Sequence, residues 1–323
     1  MNTQLKEIIE HFDKSCVLVI GDLMMDQYLY GTVTRISPEA PVPIVNIERE
    51  ACELGGAANA VNNIINLGGE VDAVGVIGKE DAGRKLLNLF KEKNVNTDGI
   101  ILSEDRPTTV KTRVIGNGSH IVRLDKETRK NIESEISDQI IEHIRERIIK
   151  YDAILISDYD KGLITPFFLR KLIPLSKSHE IPIVVNSRIE NLIYYKNVSV
   201  VISDCIKASQ VIGIKPIHET SIRNIGQWML THLDCKGVLI TRGKKGMSVF
   251  DKEGNVKHLS SISKDISDII GLEDAVTGVM TLAMANGSNV IDAAIIANAA
   301  STIVLGKTGT YTPSKEELLE QLQ

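Results

Sequence analysis

The chain has 323 residues, of which 43% are hydrophobic and 24% are charged, and its formal net charge at pH 7 is −5. This composition indicates a packed globular protein rather than disorder, and the lack of a basic patch argues against a nucleic-acid partner. Its apolar runs are too short to span a bilayer, its amino terminus is not typical of a signal peptide, and its cysteines lack metal-ligand spacing. We therefore expect a cytoplasmic protein with no membrane partner.

Short apolar runs alternate with helical patterns along the chain. Buried strands are predicted at residues 17–20, 71–77, 153–156, 183–185, 198–202 and 237–240. Helices are predicted at residues 57–67, 81–93, 130–149, 166–178, 207–213, 219–233, 274–286 and 290–304. This alternation predicts an α/β fold with a mostly parallel sheet covered by helices on both faces. Ligands of such folds bind at the carboxyl ends of the strands.

Two segments, residues 27–48 and 107–124, break this pattern, since they are rich in β-branched residues and turn signals. We interpret them as an antiparallel flap that stands off the main sheet. Such a flap could close over a ligand as a lid, and its edges could pair with a second subunit. We therefore predict a single domain over residues 1–323 that forms a homodimer through the flap.

The most informative stretch is Asp268-Ile-Ile-Gly-Leu-Glu-Asp274, which leads into an apolar run. The pattern predicts a loop that enters a helix with an acid in its first turn. Helix amino termini carry free N–H groups and a positive dipole end, so they bind phosphate. Asp274 could take a proton from a substrate hydroxyl. Glu273, however, places a second negative charge where an anion would have to lie.

Two further motifs precede the most informative stretch in the chain. One follows the first predicted strand, and the other lies at the start of the helix predicted at residues 57–67. Asp22 and Asp26 lie where acids commonly hold sugar hydroxyls, although a role as turn or cap residue is an equal alternative. Gly55 and Gly56 would let the backbone approach a ligand closely, and Asn59 can both donate and accept hydrogen bonds.

The order of the motifs resembles that of the ribokinase-like (PfkB) carbohydrate kinases. The set comprises residues 21–22, 36–43, 55–59, 107–113, 123–125 and 157–162. More narrowly, it is similar to the kinase domains of D-glycero-β-D-manno-heptose 7-phosphate kinase/adenylyltransferases. The resemblance runs over essentially the whole chain and is densest in residues 17–162. We expect no adenylyltransferase domain, and a separate adenylyltransferase could act in the same pathway.

The resemblance implies a ribokinase-like three-layer sandwich with a small β-sheet lid, which binds a sugar phosphate, ATP and Mg²⁺. The residues that would bind the sugar are Asp22, Asp26, Gly55, Gly56, Asn59 and Asp158. Lys111, Arg113 and Arg123 would bind the sugar's own phosphate, although a solvated strand face is the alternative for each. The family usually has a Gln pair at Ser119 and His120.

The carboxyl-terminal half would carry the nucleotide. The residues that the resemblance assigns to it are Thr241, Gly243, Gly246, Asp268, Asn298, Lys307 and Gly309. Asn298 could instead make a helix hydrogen bond, and Lys307 could be a partner of a helix dipole.

The catalytic loop of the family reads Asp-x-x-Gly-Ala-Gly-Asp, with the last Asp as general base. Here Asp274 and Gly271 are kept, whereas Glu273 replaces the second glycine. A carboxylate about 4 Å from the migrating phosphoryl group would repel it by roughly 4 kcal/mol at an effective dielectric near 20. That cost corresponds to about a thousandfold in rate or somewhat less. Lys161 and Lys307 would lend positive charge to the transfer.

Two other positions depart from the family. Its Asn-x-x-Glu motif, which organises Mg²⁺ through water, aligns with residues 204–207, so Asp204 could bind metal through water. Lys207 replaces the Glu, either as a loss of metal affinity or as a fixed cation in place of metal. The family's Asp-Pro-Lys aligns with Asn186-Ser-Arg188.

Two hypotheses follow. In the first, the chain is an ATP-dependent kinase that phosphorylates a heptose phosphate at the anomeric hydroxyl, in sugar biosynthesis of the ADP-heptose and lipopolysaccharide type. In the second, the three departures impair catalysis, and the chain binds sugar phosphate or nucleotide in a regulatory or partner role.

Overall fold

The computed structural model describes residues 3–216, 218–260, 270–307 and 309–323. The strands are β1 (Cys16–Gly21), β2 (Leu23–Ile36), β3 (Pro43–Gly56), β4 (Glu70–Gly78), β5 (Asn96–Ser103), β6 (Thr109–Gly116), β7 (Ser119–Lys126), β8 (Ala153–Ser157), β9 (Ile183–Asn186), β10 (Val200–Asp204), β11 (Gly237–Thr241), β12 (Met247–Asp251) and β13 (Val256–Leu259). The α-helices are α1 (Thr3–Glu10), α2 (Ala57–Asn66), α3 (Asp81–Glu92), α4 (Ser134–Arg147), α5 (Pro166–Ser178), α6 (Cys205–Ile212), α7 (Glu219–Leu233), α8 (Leu272–Ala285), α9 (Val290–Leu305) and α10 (Lys315–Gln321).

The main sheet contains nine strands of the described chain, in the order β13-β12-β11-β10-β9-β8-β1-β4-β5. Neighbours pair in parallel from β11 to β5, whereas β12 and β13 pair antiparallel at one edge. The six predicted strands correspond to β1, β4, β8, β9, β10 and β11, so the prediction of a mostly parallel sheet is confirmed. It missed the strands β5, β12 and β13, and the mixed burial of β5 follows from its place at the open edge of the sheet.

The core lies in two layers, one on each face of the main sheet. Val17 and Val19 of β1 pack in the cluster that contains α2, α8 and α9. Leu18 and Ile20 pack in the cluster of α4, α5 and α7 on the other face. All four side chains are fully buried, and each burial stabilises the fold by roughly 1.5–3 kcal/mol. No helix within the described ranges is long and apolar enough to cross a bilayer.

Three predicted helices begin elsewhere than expected, one of them α8, which starts at Leu272 rather than at residue 274. The helix predicted from residue 130 starts at Ser134 as α4, because the segment before it is hydrogen-bonded to the loop after β8. Ile132 N donates to the Gly162 carbonyl at 2.9 Å. The helix predicted from residue 207 starts at Cys205 as α6, because the Asp204 side chain caps it by accepting from two backbone N–H groups. The pattern also missed the terminal helices α1 and α10.

The lid is a second sheet with the strand order β3-β2-β6-β7. Its two hairpins, β2–β3 and β6–β7, are antiparallel, but the central pair β2–β6 is parallel. The prediction of an antiparallel flap is therefore wrong for the central pair, because both strands leave the main sheet in the same direction. The first lid segment also extends further than predicted at both ends, since residues 23–26 belong to strand β2 and residues 49–56 belong to strand β3.

Candidate active site

A cavity of about 540 Å³ lies between the lid and the carboxyl ends of the main strands. Its lining includes seven cationic and four acidic side chains, namely Lys111, Arg113, Arg123, Arg129, Lys161, Arg188 and Lys207, and Asp26, Asp160, Glu190 and Asp274. The excess of cations favours an anionic ligand. The cavity brings together most of the residues predicted for the sugar's phosphate and for catalysis, with Gly56 and Gly271 also in the lining.

Asp274 lies in the first turn of α8 and is 5% exposed. Its Oδ1 accepts from the Tyr159 hydroxyl at 2.5 Å, and its Oδ2 accepts from Asn59 Nδ2 at 2.8 Å. Burial raises the pKa of Asp274 to about 7, with the two hydrogen bonds acting in the opposite direction. A carboxyl group that titrates there can accept a proton near neutral pH. Gly271, in the left-handed region at φ 77°, is the N-cap residue of this helix.

Glu273 does not face the cavity as an isolated negative charge. Its Oε1 accepts from Lys207 Nζ at 2.9 Å, and the same ammonium lies 2.9 Å from Asp204 Oδ2. Burial acts to raise the pKa of Asp204, but hydrogen bonds from Lys207 outweigh it, and the net shift is downward. The two departures from the family pattern thus contact each other. The adjacent positive charge reduces the repulsion that a lone Glu273 carboxylate would exert on a phosphoryl group.

An ion pair between Asp26 and Arg113 closes the lid side of the cavity. Arg113 Nη1 lies 2.6 Å from Asp26 Oδ1, and both side chains are at most 10% exposed. Gly55 makes room for this pair, because a Cβ at that position would lie 2.7 Å from Asp26 Oδ2. At Gly56 the backbone is left-handed, with φ 55°, and a Cβ would lie 2.9 Å from the Asp22 carbonyl oxygen. The two glycines therefore shape the lid side of the cavity, where Asp26 lies.

Asp125 in strand β7 and Glu127 just after it form ion pairs with the basic side chains that line the cavity. Asp125 accepts from Arg123 Nε at 2.8 Å and from Lys111 Nζ at 3.2 Å. Glu127 bridges Lys111 and Lys161, with Nζ–Oε distances of 3.3 and 2.9 Å. Burial would raise the pKa of Glu127, but the hydrogen bond from Lys161 and the charge of Lys111 outweigh it and lower the pKa. These pairs fix three ammonium and guanidinium groups at the cavity.

Asp22 and Asp158 lie behind the cavity and organise the loop that follows β8. Asp22 Oδ2 accepts from the backbone N–H groups of Tyr159 and Lys161 at 2.9 and 3.1 Å. Burial, together with the nearby Asp158 charge, raises the pKa of Asp22 to about 6. Asp158 accepts from the Tyr195 hydroxyl at 2.5 Å. Asp22 thus makes the turn-type contacts that were its alternative to sugar binding, whereas Asp158 is held by a tyrosine hydroxyl.

The loop after β11 lies next to Lys207. Thr241 is in register with Asp204 on the neighbouring strand β10. Gly243 and Gly246 adopt left-handed backbones at φ 56° and 82°, a conformation that disfavours other residues. The predicted nucleotide loop and the Asp204–Lys207–Glu273 network therefore occupy adjacent strand ends.

The other predicted nucleotide residues make contacts elsewhere. Asn298 Nδ2 donates to the Ser260 carbonyl at 3.1 Å. Lys307 Nζ lies 3.7 Å from Glu317 Oε1 and 4.8 Å from the centre of the Tyr311 ring, so it does not line the cavity with Asp274. Gly309, at φ 76°, is a turn residue beside them, and Asp268 lies outside the described residues.

Sequence reasoning missed several residues of this site, and three of them contact the residues that it did predict or each other. Tyr159 lies within the motif of residues 157–162, but its contact with Asp274 is tertiary. Glu127 lies two residues beyond Asp125, and only its place directly after a strand with basic side chains could have indicated that it pairs with them. Arg188 was treated as a departure from the family, whereas its guanidinium lies 4.6 Å from the centre of the Tyr159 ring.

The family model for pfkB family carbohydrate kinases matches residues 14–317. The chain therefore belongs to the pfkB family of carbohydrate kinases. Bifunctional protein HldE of Geobacter sulfurreducens is 35% identical over 318 residues, which are 98% of this chain and 65% of that protein. HldE of Geobacter metallireducens is 36% identical over 315 residues, which are 98% of this chain and 64% of that protein. The chain thus spans slightly less than two thirds of the length of these curated relatives.

Solved structures share the fold at low sequence identity. Phosphofructokinase-2 from Escherichia coli in complex with potassium matches with a TM-score of 0.77 and 19% identity, covering 95% of this chain and 97% of that one. Arabidopsis thaliana ribokinase complexed with ribose and ATP matches with a TM-score of 0.73 and 15% identity, covering 96% and 99%. The predicted ribokinase-like α/β fold with a small second sheet is therefore confirmed.

Proposed function

We propose that this carbohydrate kinase transfers the terminal phosphoryl group of ATP to a hydroxyl of a sugar phosphate. The acceptor that we propose is the anomeric hydroxyl of D-glycero-β-D-manno-heptose 7-phosphate, in ADP-heptose synthesis. The observation that carries the proposal is the buried Asp274 carboxyl, with a pKa of about 7, at the amino end of α8 in a cavity lined by cations. The motifs shared with heptose phosphate kinases support the choice of sugar. A separate adenylyltransferase that uses the product stays a prediction.

The chemistry divides between Asp274 and the start of α8. Asp274 takes the proton of the acceptor hydroxyl as its oxygen attacks the γ-phosphorus, and the bond from that phosphorus to ADP breaks. The first turn of α8 presents free N–H groups and the positive end of its dipole, which stabilise charge on the migrating group. Asn59 and Tyr159 fix the carboxylate through their hydrogen bonds.

The lid supplies the site for the sugar's own phosphate. Lys111, Arg123 and Lys161 lie there with their charged groups already oriented by Asp125 and Glu127. A phosphate with nearly two negative charges can accept charge-assisted hydrogen bonds from several such donors. Asp26 lies at the inner wall of the cavity, where it can accept from a sugar hydroxyl.

The nucleotide would lie beside the loop of residues 241–246, with Mg²⁺ bound to its phosphates. Bound there, the metal would neutralise phosphate charge during transfer. Within the residues that the structure describes, no group of three or more His, Cys, Asp or Glu could hold a metal ion. The nearest candidate, Asp204, is bound to Lys207 and to two backbone N–H groups. Among the described residues, the donor set therefore does not fit a metal held by the protein itself.

The alternative of a regulatory binding protein rested on three departures from the family pattern, among them Glu273 as a second negative charge where an anion would have to lie. The ion pair with Lys207 weakens that reason, and the comparisons with known proteins offer nothing in its favour. We therefore prefer the enzyme.

The direct test is ADP release with ATP, Mg²⁺ and heptose 7-phosphate. Asp274→Asn should lower turnover by about 10²–10⁴-fold, the usual contribution of a general base, while sugar-phosphate binding persists. Asp292→Asn is the matched control, because Asp292 also lies in the first turn of a helix, α9, away from the cavity. Its turnover should stay at the wild-type level. Unchanged turnover in Asp274→Asn would refute the assignment of the base.

We also propose that two copies associate through the outer face of the lid. Val122 and Leu124 of β7 are 46% and 56% exposed, and Ile47 of β3 is 44% exposed. Val122 is in register with Val114, which pairs in turn with Leu29 of β2, so apolar side chains form a row across the sheet. An apolar surface of this kind with open strand edges favours pairing with a second copy.

A further inference from the structure

We propose that Lys207 is a fixed cation that takes the place of a protein-bound divalent metal at the phosphoryl-transfer centre, with Asp204 and Glu273 holding it there. This inference rests on the kinase function proposed above. It goes further because it states how the site supplies positive charge and which metal dependence follows.

The position of the ammonium group carries the argument. Lys207 Nζ is 2.9 Å from Asp204 Oδ2 and 2.9 Å from Glu273 Oε1. Its side chain is 18% exposed, and it lines the same cavity as Asp274. The two carboxylates belong to the starts of different helices, α6 and α8, so they hold the cation from two sides. An ammonium has three N–H donors, and these contacts leave one for a phosphate oxygen.

The same contacts oppose metal binding between the two acids. Asp204 Oδ1 accepts from the backbone N–H groups of Ile206 and Lys207 at 2.8 and 2.9 Å. Asp204 Oδ2 and Glu273 Oε1 face the ammonium. A divalent ion there would have to displace Lys207 and would meet its charge at close range. Hard cations need several oxygen ligands, and these acids are already committed.

A covalently attached cation changes how the site responds to free metal. In the wild type, affinity for nucleotide already complexed with Mg²⁺ should not depend on further free Mg²⁺. In Lys207→Gln the two carboxylates would face the nucleotide phosphates without their cation and repel them. Free Mg²⁺ could then bind between Asp204 and Glu273 and restore affinity. The variant should therefore acquire a metal dependence that the wild type lacks.

The experiment is calorimetry with the Mg²⁺ complex of a non-hydrolysable ATP analogue, at about 0.1 mM and about 10 mM free Mg²⁺ and constant ionic strength. The wild-type Kd should change by less than about twofold, and that of Lys207→Gln by about tenfold or more, or 1.4 kcal/mol. Lys207→Arg, which keeps the charge, should follow the wild type. Lys252→Gln is the control, since Lys252 pairs with Asp234 at 2.8 Å beyond the amino end of β11.

The proposal is overturned if the wild-type Kd itself improves about tenfold with free Mg²⁺, a result that needs no variant to fold. It is also overturned if a folded Lys207→Gln behaves as the wild type does. Normal turnover combined with either result refutes this inference alone. Metal-independent analogue binding without turnover refutes the kinase proposal while the role of Lys207 as a charge substitute stands. A wild type that binds no nucleotide refutes both.

Discussion

The hydroxyl of Tyr159 lowers the pKa of Asp274 against the effect of burial, and its removal should shift the pH dependence of turnover. It donates to Asp274 Oδ1 at 2.5 Å. Burial and the Asp274 charge raise the pKa of Tyr159 well above its ordinary value, so the phenol stays protonated as a donor. Tyr159→Phe keeps the ring, which lies against Arg188, and removes only the donor.

The magnitude follows from the hydrogen bond. A hydrogen bond to a charged group contributes about 1.5–3 kcal/mol, and one pKa unit corresponds to about 1.4 kcal/mol. The bond stabilises the ionised form, so its loss should raise the pKa of Asp274 from about 7 by roughly one to two units. At pH 7 the ionised fraction would fall from about one half to between about one tenth and one hundredth.

The assay is the pH profile of kcat/KM for the sugar phosphate. The acid limb should move to higher pH in Tyr159→Phe, and the rate should recover well above pH 9. Tyr151→Phe is the matched control, because the Tyr151 hydroxyl donates to the buried Asp72 at 2.9 Å far from the cavity. An equal loss of rate at every pH, with an unmoved limb, would refute the reasoning.

Three further predictions concern stability, packing and assembly. Burial raises the folded-state pKa of Asp274 to about 7 from 3.8, so stability that is present below pH 4 is lost as the pH rises through 7. Thermal unfolding at pH 8 should therefore show Asp274→Asn to be more stable than the wild type, with a free energy of unfolding greater by at most about 4 kcal/mol. Below pH 4 the variant should have no advantage in stability. Gly55→Ala would place a Cβ 2.7 Å from Asp26 Oδ2, and the displaced acid should raise the sugar-phosphate KM by about tenfold; an unchanged KM would contradict this. Leu124→Asp should shift the protein to monomers in sedimentation, whereas the same change at Leu102, exposed on the main sheet, should not.

The main sheet was predictable because buried parallel strands leave a local signal. Continuous apolar runs such as the one in β1 read directly as strands. The lid was located, but its parallel central pair could not be derived, since β2 and β6 are separated by more than 70 residues and their pairing is a tertiary fact. Its ends were missed because Asp26, Gly55 and Gly56 are residue types typical of loops.

Within the site, residue types were predictable where a motif restricts them locally. Asp274 and Gly271 follow from the loop-to-helix pattern, and Lys111, Arg113 and Arg123 do line one cavity. Partners were not predictable, because each contact joins distant segments. Lys207 and Glu273 are 66 positions apart, so their pairing left no signal in the sequence.

That pairing changes how the three departures are interpreted. Taken separately, Glu273 and Lys207 are two losses whose costs would add, but groups in contact are not additive. A negative charge gained at one position and a positive charge gained at the other form one ion pair. In the third departure, Asn186-Ser-Arg188, an acid is lost at position 186, and Arg188 lies over the Tyr159 ring and donates to the Asp158 carbonyl at 3.2 Å. Together the departures rebuild the surroundings of Asp274 rather than remove them, which favours an active kinase with altered charge over an inactive one.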